Sequence, residues 1–168
     1  CMMPVTGVEL LVLYIRRDFL HPERSQRNRN SKLVKRCLPI AHDHGIDYIR
    51  LCSGRWNTTK SLDDLMANRC IEVFLPGVTE DEGFQWCIDA IKACLPTAEK
   101  GGVVLALENH WGLTRTPEGL LRIVNAIDSP WLGVLMDTGN FLEPHYEKLE
   151  QTGTKTVFVQ AKKQYGGG

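Results

Sequence analysis

Five short runs rich in β-branched and apolar residues recur along the chain, each parted from the next by a longer segment. This alternation restricts the fold more than any other feature. The runs are 8–15 (VELLVLYI), 46–52 (IDYIRLC), 103–108 (VVLALE), 132–137 (LGVLMD) and 156–161 (TVFVQA). Strands alternating with helices are βα units, which build a parallel sheet. Between the first two runs Leu33, Val34, Cys37, Leu38 and Ala41 share one helical face, Pro39 kinks or shortens the helix, and Gly45 ends it. Phe84, Cys87, Ile88, Ile91, Leu95 and Ala98 predict a single helix before the third run, closed by Gly101-Gly102. Thr116 as N-cap and Pro117-Glu118 open another, with Leu120, Leu121, Val124 and Ile127 as its buried stripe. The stretch 57–83 reads as an insertion, a polar loop whose apolar run Ile71–Leu75 predicts one extra strand or hairpin.

Parallel βα units either close as an eight-stranded barrel or stay open as a doubly wound sheet, and both place ligands at the C-terminal ends of the strands. The glycine fingerprint for dinucleotides and the phosphate-binding loop are absent from the sequence, which favours the barrel. A full barrel needs about 250 residues. With 168 residues and five units, the expected fold is an incomplete α/β TIM (β/α)8 barrel, one truncated domain over 1–168. One unit is then expected before Cys1 and two strands after Gly168, while the terminal Gly166-Gly167-Gly168 looks foreign to the fold.

Twenty Lys and Arg balance twenty Asp and Glu, so no global field draws the chain to nucleic acid or anionic lipid. The longest apolar run, Val8–Ile15, falls far short of the roughly 20 residues of a membrane span. Cys1-Met2-Met3-Pro4 lacks the regions of a signal peptide. Six cysteines without CxxC pairing, most inside apolar patterns, read as free thiols in a reducing cytoplasm.

Polar residues collect at the strand ends, where parallel sheets build their sites. The third run ends in Glu108-Asn109-His110-Trp111-Gly112, the fourth in Asp137-Thr138-Gly139-Asn140-Phe141, the fifth in Gln160-Ala161-Lys162. The two-residue period puts Glu108 and His110 on one side, and likewise Gln160 and Lys162. Two carboxylates and an amide oxygen from neighbouring strands then converge, a set suited to Mg²⁺ or Mn²⁺ that also admits Co²⁺ or Zn²⁺. The plainer alternative is that Glu108 and Asp137 cap helices or pair with Arg. His110 reads equally as a substrate contact, a support for a ligand or a packed core histidine. Arg50 and Lys162 hold a substrate hydroxyl, carboxylate or phosphate if they face the site, and form surface salt bridges if they face outward. Trp111 and Phe141 are candidates for a pocket wall, and His21, His42, His44 and His145 fall in loops or on helix flanks.

The segments Ala106–Thr114, Ser129–Val134 (SPWLGV) and Asp137–Phe141 (DTGNF) resemble the sugar phosphate isomerase/epimerase family of the xylose isomerase-like TIM barrel superfamily. That superfamily also contains tagatose 3-epimerase, hydroxypyruvate isomerase, inosose dehydratase and endonuclease IV. Arg17-Asp18-Phe19 and Ile49–Arg55 resemble its earlier strand ends, so the likeness runs from about Val8 to Gly168. The resemblance implies that Glu108 is a metal ligand and one of two catalytic carboxylates, and that Asp137 is a second ligand. It places Gln160 where a metal-binding His commonly stands and Asn140 where many members have a substrate-contacting His. A fourth ligand and second base, a Glu on the last strand, is implied beyond Gly168, so the chain alone is expected to be inactive or nearly so.

The implied substrate is a small carbohydrate, sugar phosphate or keto-acid. The implied chemistry is metal-assisted removal of a proton next to a carbonyl, giving an enediolate that is reprotonated on the neighbouring carbon or the other face. A dehydratase begins with the same step and is the nearest rival. An endonuclease-type phosphodiesterase needs a zinc cluster, many His ligands and a basic groove, which five scattered His and zero net charge do not supply. A non-catalytic fragment or binding module is a third reading, and a homo-oligomer remains open.

Overall fold

The computed structural model describes residues 9–163. Within them five parallel strands, β1 (Val12–Tyr14), β2 (Tyr48–Leu51), β3 (Val104–Glu108), β4 (Leu132–Asp137) and β5 (Thr156–Gln160), lie in the order β1-β2-β3-β4-β5. A doubly wound sheet reverses its strand order at a switch point, whereas a barrel adds strands one after another. The sequential order therefore settles the architecture: the five strands form half of a barrel. Its curvature brings the two edges together at one end, where the Tyr14 hydroxyl of β1 donates to Gln160 Oε1 of β5. The rings of Tyr48 and Phe158 also meet across the interior, centroids 5.4 Å apart.

All five predicted strands are present, β1 shorter than its run. Val8, the N-terminal Cys1-Met2-Met3-Pro4 and the glycine tail lie outside the described residues. Alternation along each strand explains the layers. Ile49, Leu51, Leu105, Leu107, Leu132 and Val134 face outward into the buried core beneath the helices. Residues of the other parity, including Tyr14, Arg50, Glu108, Asp137 and Gln160, are in register across the concave face: Tyr14 opposes Arg50, and Asp137 opposes Gln160.

The helices depart from their sequence patterns for identifiable reasons. Helix α1 (Arg24–Asp43) starts well before the apolar stripe, because its first two turns are polar, and it continues through Pro39. Gly45, just past its end, takes φ +67° as expected of a helix-terminating glycine. The helix predicted over 84–98 is two: α3 (Glu80–Lys92), begun by a Thr79–Glu82 capping box, and α4 (Leu95–Gly101). Pro96 lacks the N–H that would continue the ladder, so the chain restarts there. Helix α5 (Pro117–Ile127) has its Thr116 cap, but Ile123 joins Leu120 and Val124 as fully buried, while Leu121 and Ile127 are only partly covered. Helix α6 (His145–Thr152) leads into β5.

No strand forms at Ile71–Leu75; the insertion holds a short helix, α2 (Leu62–Ala67), and an irregular return. Glu72 organises it instead. Its carboxylate, 2% exposed, accepts from Arg55 Nε and Nη2 at 3.1 and 3.0 Å and from the Thr59 and Asn57 amides at 3.0 and 3.3 Å. Phe74 leaves the backbone to pack on Trp56, centroids 5.2 Å apart.

The loops after β1, β2 and β3 meet at two glycines that have no room for a side chain of their own. A Cβ on Gly54 would stand 2.4 Å from the Asp18 Cβ, and one on Gly112 would stand 1.8 Å from the Gly54 carbonyl oxygen. Both glycines also have positive φ, +97° and +77°. Gly112→Ala should therefore cost about 2–4 kcal/mol, combining overpacking with backbone strain; an unchanged denaturant midpoint would contradict the contact. The Glu72 loop gives a pH prediction. Burial raises the Glu72 carboxyl, but Arg55 and the Thr59 and Asn57 amides outweigh burial and hold it below its ordinary value. A depressed native pKa stabilises above the unfolded value of about 4.3 and is lost as pH falls through the native one. Amide protection in 55–75, corrected for the intrinsic exchange rate at each pH, should stay high at pH 5 and fall on further acidification, and Glu72→Gln should remove that acid dependence.

Candidate active site

At the C-terminal ends of β2 to β5 the concave face carries an ionic network. Glu108, 1% exposed, ends β3, and Arg50 of β2 reaches it with Nε 2.5 Å from Oε2 and pairs with the same oxygen through Nη2. The Cys52 thiol donates to that oxygen at 3.5 Å, and Asn140 Nδ2 donates to Oε1 at 3.2 Å. Asp137, wholly buried at the end of β4, accepts from the Gly139 amide at 2.9 Å on Oδ1. Its Oδ2 accepts from Gln160 Nε2 at 2.8 Å and pairs with Lys162 Nζ at 3.0 Å. Lys162 Nζ also donates to Asn140 Oδ1 at 2.9 Å, closing the circuit between the two carboxylates.

The structure thus brings Arg50, Glu108, Asp137, Asn140, Gln160 and Lys162 into one network. Arg50 and Lys162 do not form outward surface salt bridges; both turn inward. His110 stands beside the network. Its amide donates to Thr114 Oγ1 at 3.2 Å, and its ring packs on Trp111, centroids 5.0 Å apart. Phe141 belongs to the hydrophobic core and does not line the cleft above the network, whereas Trp111 does. Of the remaining histidines, His21 also lines the cleft, while His44 and His145 bond backbone carbonyls four residues back.

A cleft of about 780 Å³ opens above the network, lined by Tyr14, Arg50, Glu108, His110, Gln160 and Lys162 and, at its mouth, by the exposed Arg16 and Arg17. Asp137 and Asn140 lie buried behind it. Burial raises the Glu108 carboxyl above its ordinary value against the opposing pull of Arg50, which makes the carboxylate a stronger base. Burial, then the Arg50 and Lys162 cations, push the His110 imidazole down to about 4, leaving it neutral near pH 7. Burial pushes the Cys52 thiol up to about 12, so it acts as a hydrogen-bond donor and not as a nucleophile.

Two further residues hold the site, and neither stood out in the sequence. Asn109 is the clamp between strand ends: its Oδ1 accepts the Asp137 amide at 2.6 Å and its Nδ2 donates to the Asp137 carbonyl at 2.9 Å. A buried amide directly after a strand-end carboxylate was the available signal. Tyr14 fixes Gln160 through its hydroxyl and lays its ring against the Arg50 guanidinium, 5.1 Å from the centroid. Tyr14 is 146 residues from Gln160, so only the barrel curvature reveals it.

The divalent ion expected at Glu108, Asp137 and Gln160 meets a donor set that is already engaged. Every oxygen of the two carboxylates accepts from a protein donor, and Gln160 turns its NH₂ toward Asp137 and gives its Oε1 to Tyr14. Among the described residues no three His, Cys, Asp or Glu side chains group so as to hold a metal. The residues in this arrangement do not fit the ion.

The half-barrel is shared with solved structures of low identity. Escherichia coli 3-keto-D-glucoside 4-epimerase superposes with a TM-score of 0.75 at 16% identity, over 93% of this chain and 59% of that one. A D-tagatose 3-epimerase-like protein gives 0.67 at 20% identity, over 92% and 56%. The IOLI protein with a binding zinc atom gives 0.69 at 20% identity, over 91% and 51%. The chain therefore spans a little over half the length of these structures. No curated protein matches the chain. The family model for the xylose isomerase-like TIM barrel matches residues 4–167, nearly the whole sequence, and the chain belongs to that family.

Proposed function

We propose that the protein containing this chain isomerises or epimerises a hydroxy-carbonyl sugar or sugar derivative by proton transfer at Glu108. The observation that carries this reading is a buried carboxylate of raised basicity facing the cleft, with Arg50 and Lys162 beside it. Glu108 takes the proton from the carbon next to the carbonyl, and the C–H electron pair moves toward the carbonyl oxygen. The N–H groups of Arg50 and Lys162 face the charge that develops on the enediolate oxygens. Return of the proton to the neighbouring carbon, with the hydroxyl proton passing from its oxygen to the former carbonyl oxygen, completes isomerisation; epimerisation needs a second acid–base group on the opposite face. His110, neutral, is suited to hydrogen-bond a substrate hydroxyl.

The sheet-edge arginines bear on substrate choice. Arg50, Lys162 and Arg55 have carboxylate partners in Glu108, Asp137 and Glu72, whereas among the described residues Arg16 and Arg17 form no ion pair and Asp18 is the remaining acid of the cleft lining. A phosphate or carboxylate on the substrate complements that excess. The five described cysteines are free thiols, in keeping with a reducing cytoplasm. Among the described residues no helix is long and apolar enough to cross a membrane. Metal dependence is the competing reading, and it requires Glu108 and Asp137 to release Arg50 and Lys162.

The test is wash-in of deuterium from D₂O into ketoses, keto-acids and their phosphates by the full-length protein, followed by NMR. Exchange at the carbon next to the carbonyl is expected, and Glu108→Gln should lower its rate roughly 10²–10⁴-fold with an unchanged circular dichroism spectrum. Undiminished exchange in that variant would remove Glu108 from the chemistry, and loss of the elements of water from substrate would indicate a dehydratase. Replacing Arg16 and Arg17 by Gln should raise KM for phosphorylated or carboxylated substrates by roughly tenfold, leaving kcat and the KM of neutral sugars unchanged.

A further inference from the structure

We infer that Arg50 and Lys162 stand in this site in place of a divalent ion, so that the enzyme works without a resident metal and its own two cations hold the oxygens of the reacting substrate. The inference rests on the proton-transfer reading of the site. Charge bookkeeping supports it first. Glu108 and Asp137 bring two negative charges to the strand ends, and Arg50 and Lys162 return two positive ones, at 2.5 Å from Glu108 for Arg50 Nε and 3.0 Å from Asp137 for Lys162 Nζ. The cluster is neutral as it stands. Adding a divalent ion would leave these four groups doubly positive where charge repulsion is poorly screened, and the single Glu implied beyond Gly168 would offset only half of that charge.

Geometry supports it second. Arg50 is not a loose side chain filling space: it is 8% exposed, meets Glu108 with two of its nitrogens and lies against the Tyr14 ring. A guanidinium cannot be neutralised by losing its proton within the accessible pH range. Lys162 is the more exposed of the two, its side chain 29% exposed, but it is held between Asp137 Oδ2 and Asn140 Oδ1. The amide of Gln160 is committed in the sense opposite to ligation, its nitrogen toward Asp137 and its oxygen toward Tyr14. Seating an ion would mean breaking two ion pairs and turning that amide over.

Chemistry supports it third. Both cations line the cleft and carry N–H donors at the same end as Glu108. Such donors supply the charge stabilisation an enediolate requires, and the planar guanidinium meets two oxygens side by side.

The test uses the full-length protein grown with added MnCl₂ and dialysed. Metal content is measured by inductively coupled plasma mass spectrometry, Mn²⁺ binding by electron paramagnetic resonance of the free ion, and solvent exchange with and without EDTA. The wild type should hold no stoichiometric metal and exchange equally with EDTA present. Arg50→Met combined with Lys162→Met should uncover the carboxylates and raise Mn²⁺ affinity roughly tenfold or more. Should that variant misfold, Gln160→His, which adds an imidazole while both cations remain, should still fail to bind Mn²⁺ tightly. Stoichiometric Mn²⁺ in the wild type with EDTA-sensitive exchange would overturn the inference and leave the proposed function standing. Tight Mn²⁺ binding by Gln160→His, or no gain in a folded double variant, would also overturn it, because the cations would then not be what excludes the ion. A metal-free wild type that exchanges no substrate would refute the proposed function instead.

Discussion

A carboxylate and a guanidinium buried against each other at the ends of adjacent strands impose the main demand on this fold. Glu108 and Arg50 are almost completely removed from water, and each alone would carry a large desolvation penalty. Breaking a buried pair of this kind by removing one partner typically costs about 3–5 kcal/mol. The pair therefore holds only if β2 and β3 keep their register and the loops above them stay closed. Both conditions are met by other parts of the chain. Arg50 opposes Ala106 on β3, two residues before Glu108, and the small side chain lets the guanidinium lie along the strand toward the carboxylate.

From that pair the order spreads sideways. Asn140 joins Glu108 to Lys162, Lys162 joins Asn140 to Asp137, and Gln160 joins Asp137 to Tyr14, so that the tips of all five strands hold one another. Asn109 bonds both the amide and the carbonyl of Asp137 and fixes the β3–β4 junction without taking any charge. Above this layer the Asp18 side chain lies against Gly54 and the Gly54 carbonyl against Gly112, so closely that neither glycine has room for a Cβ. No buried side-chain nitrogen or oxygen is left without a partner among the described residues. A fully satisfied network of this kind is rigid, as the proposed stabilisation of transition-state charge requires.

Much of this was legible in the residues. The strands announced themselves as short runs rich in apolar and β-branched residues between helical patterns, and the strand ends because polar residues follow there. The β3, β4 and β5 ends did supply the converging groups. Other features were silent for physical reasons. The first turns of α1 are polar, so hydrophobic periodicity could not mark them. Pro96 at the start of α4 outweighed a continuous apolar stripe. Ile71–Leu75 has strand-like composition, but Glu72 gives its carboxylate to the Arg55 loop and the chain stays irregular. Above all, a sequence names Gln160 as an oxygen donor without saying which end of the amide points inward, and names Arg50 without saying which side of β2 it leaves. The inference that this site carries its own cations rests on those two orientations.

The most direct measurement is a crystal structure of the full-length protein from crystals grown in MnCl₂, with anomalous data collected for manganese. The account predicts no anomalous peak between Glu108 and Asp137, with Arg50 and Lys162 seated on the two carboxylates. A manganese peak bonded to both carboxylates, with Arg50 and Lys162 turned away, would contradict it.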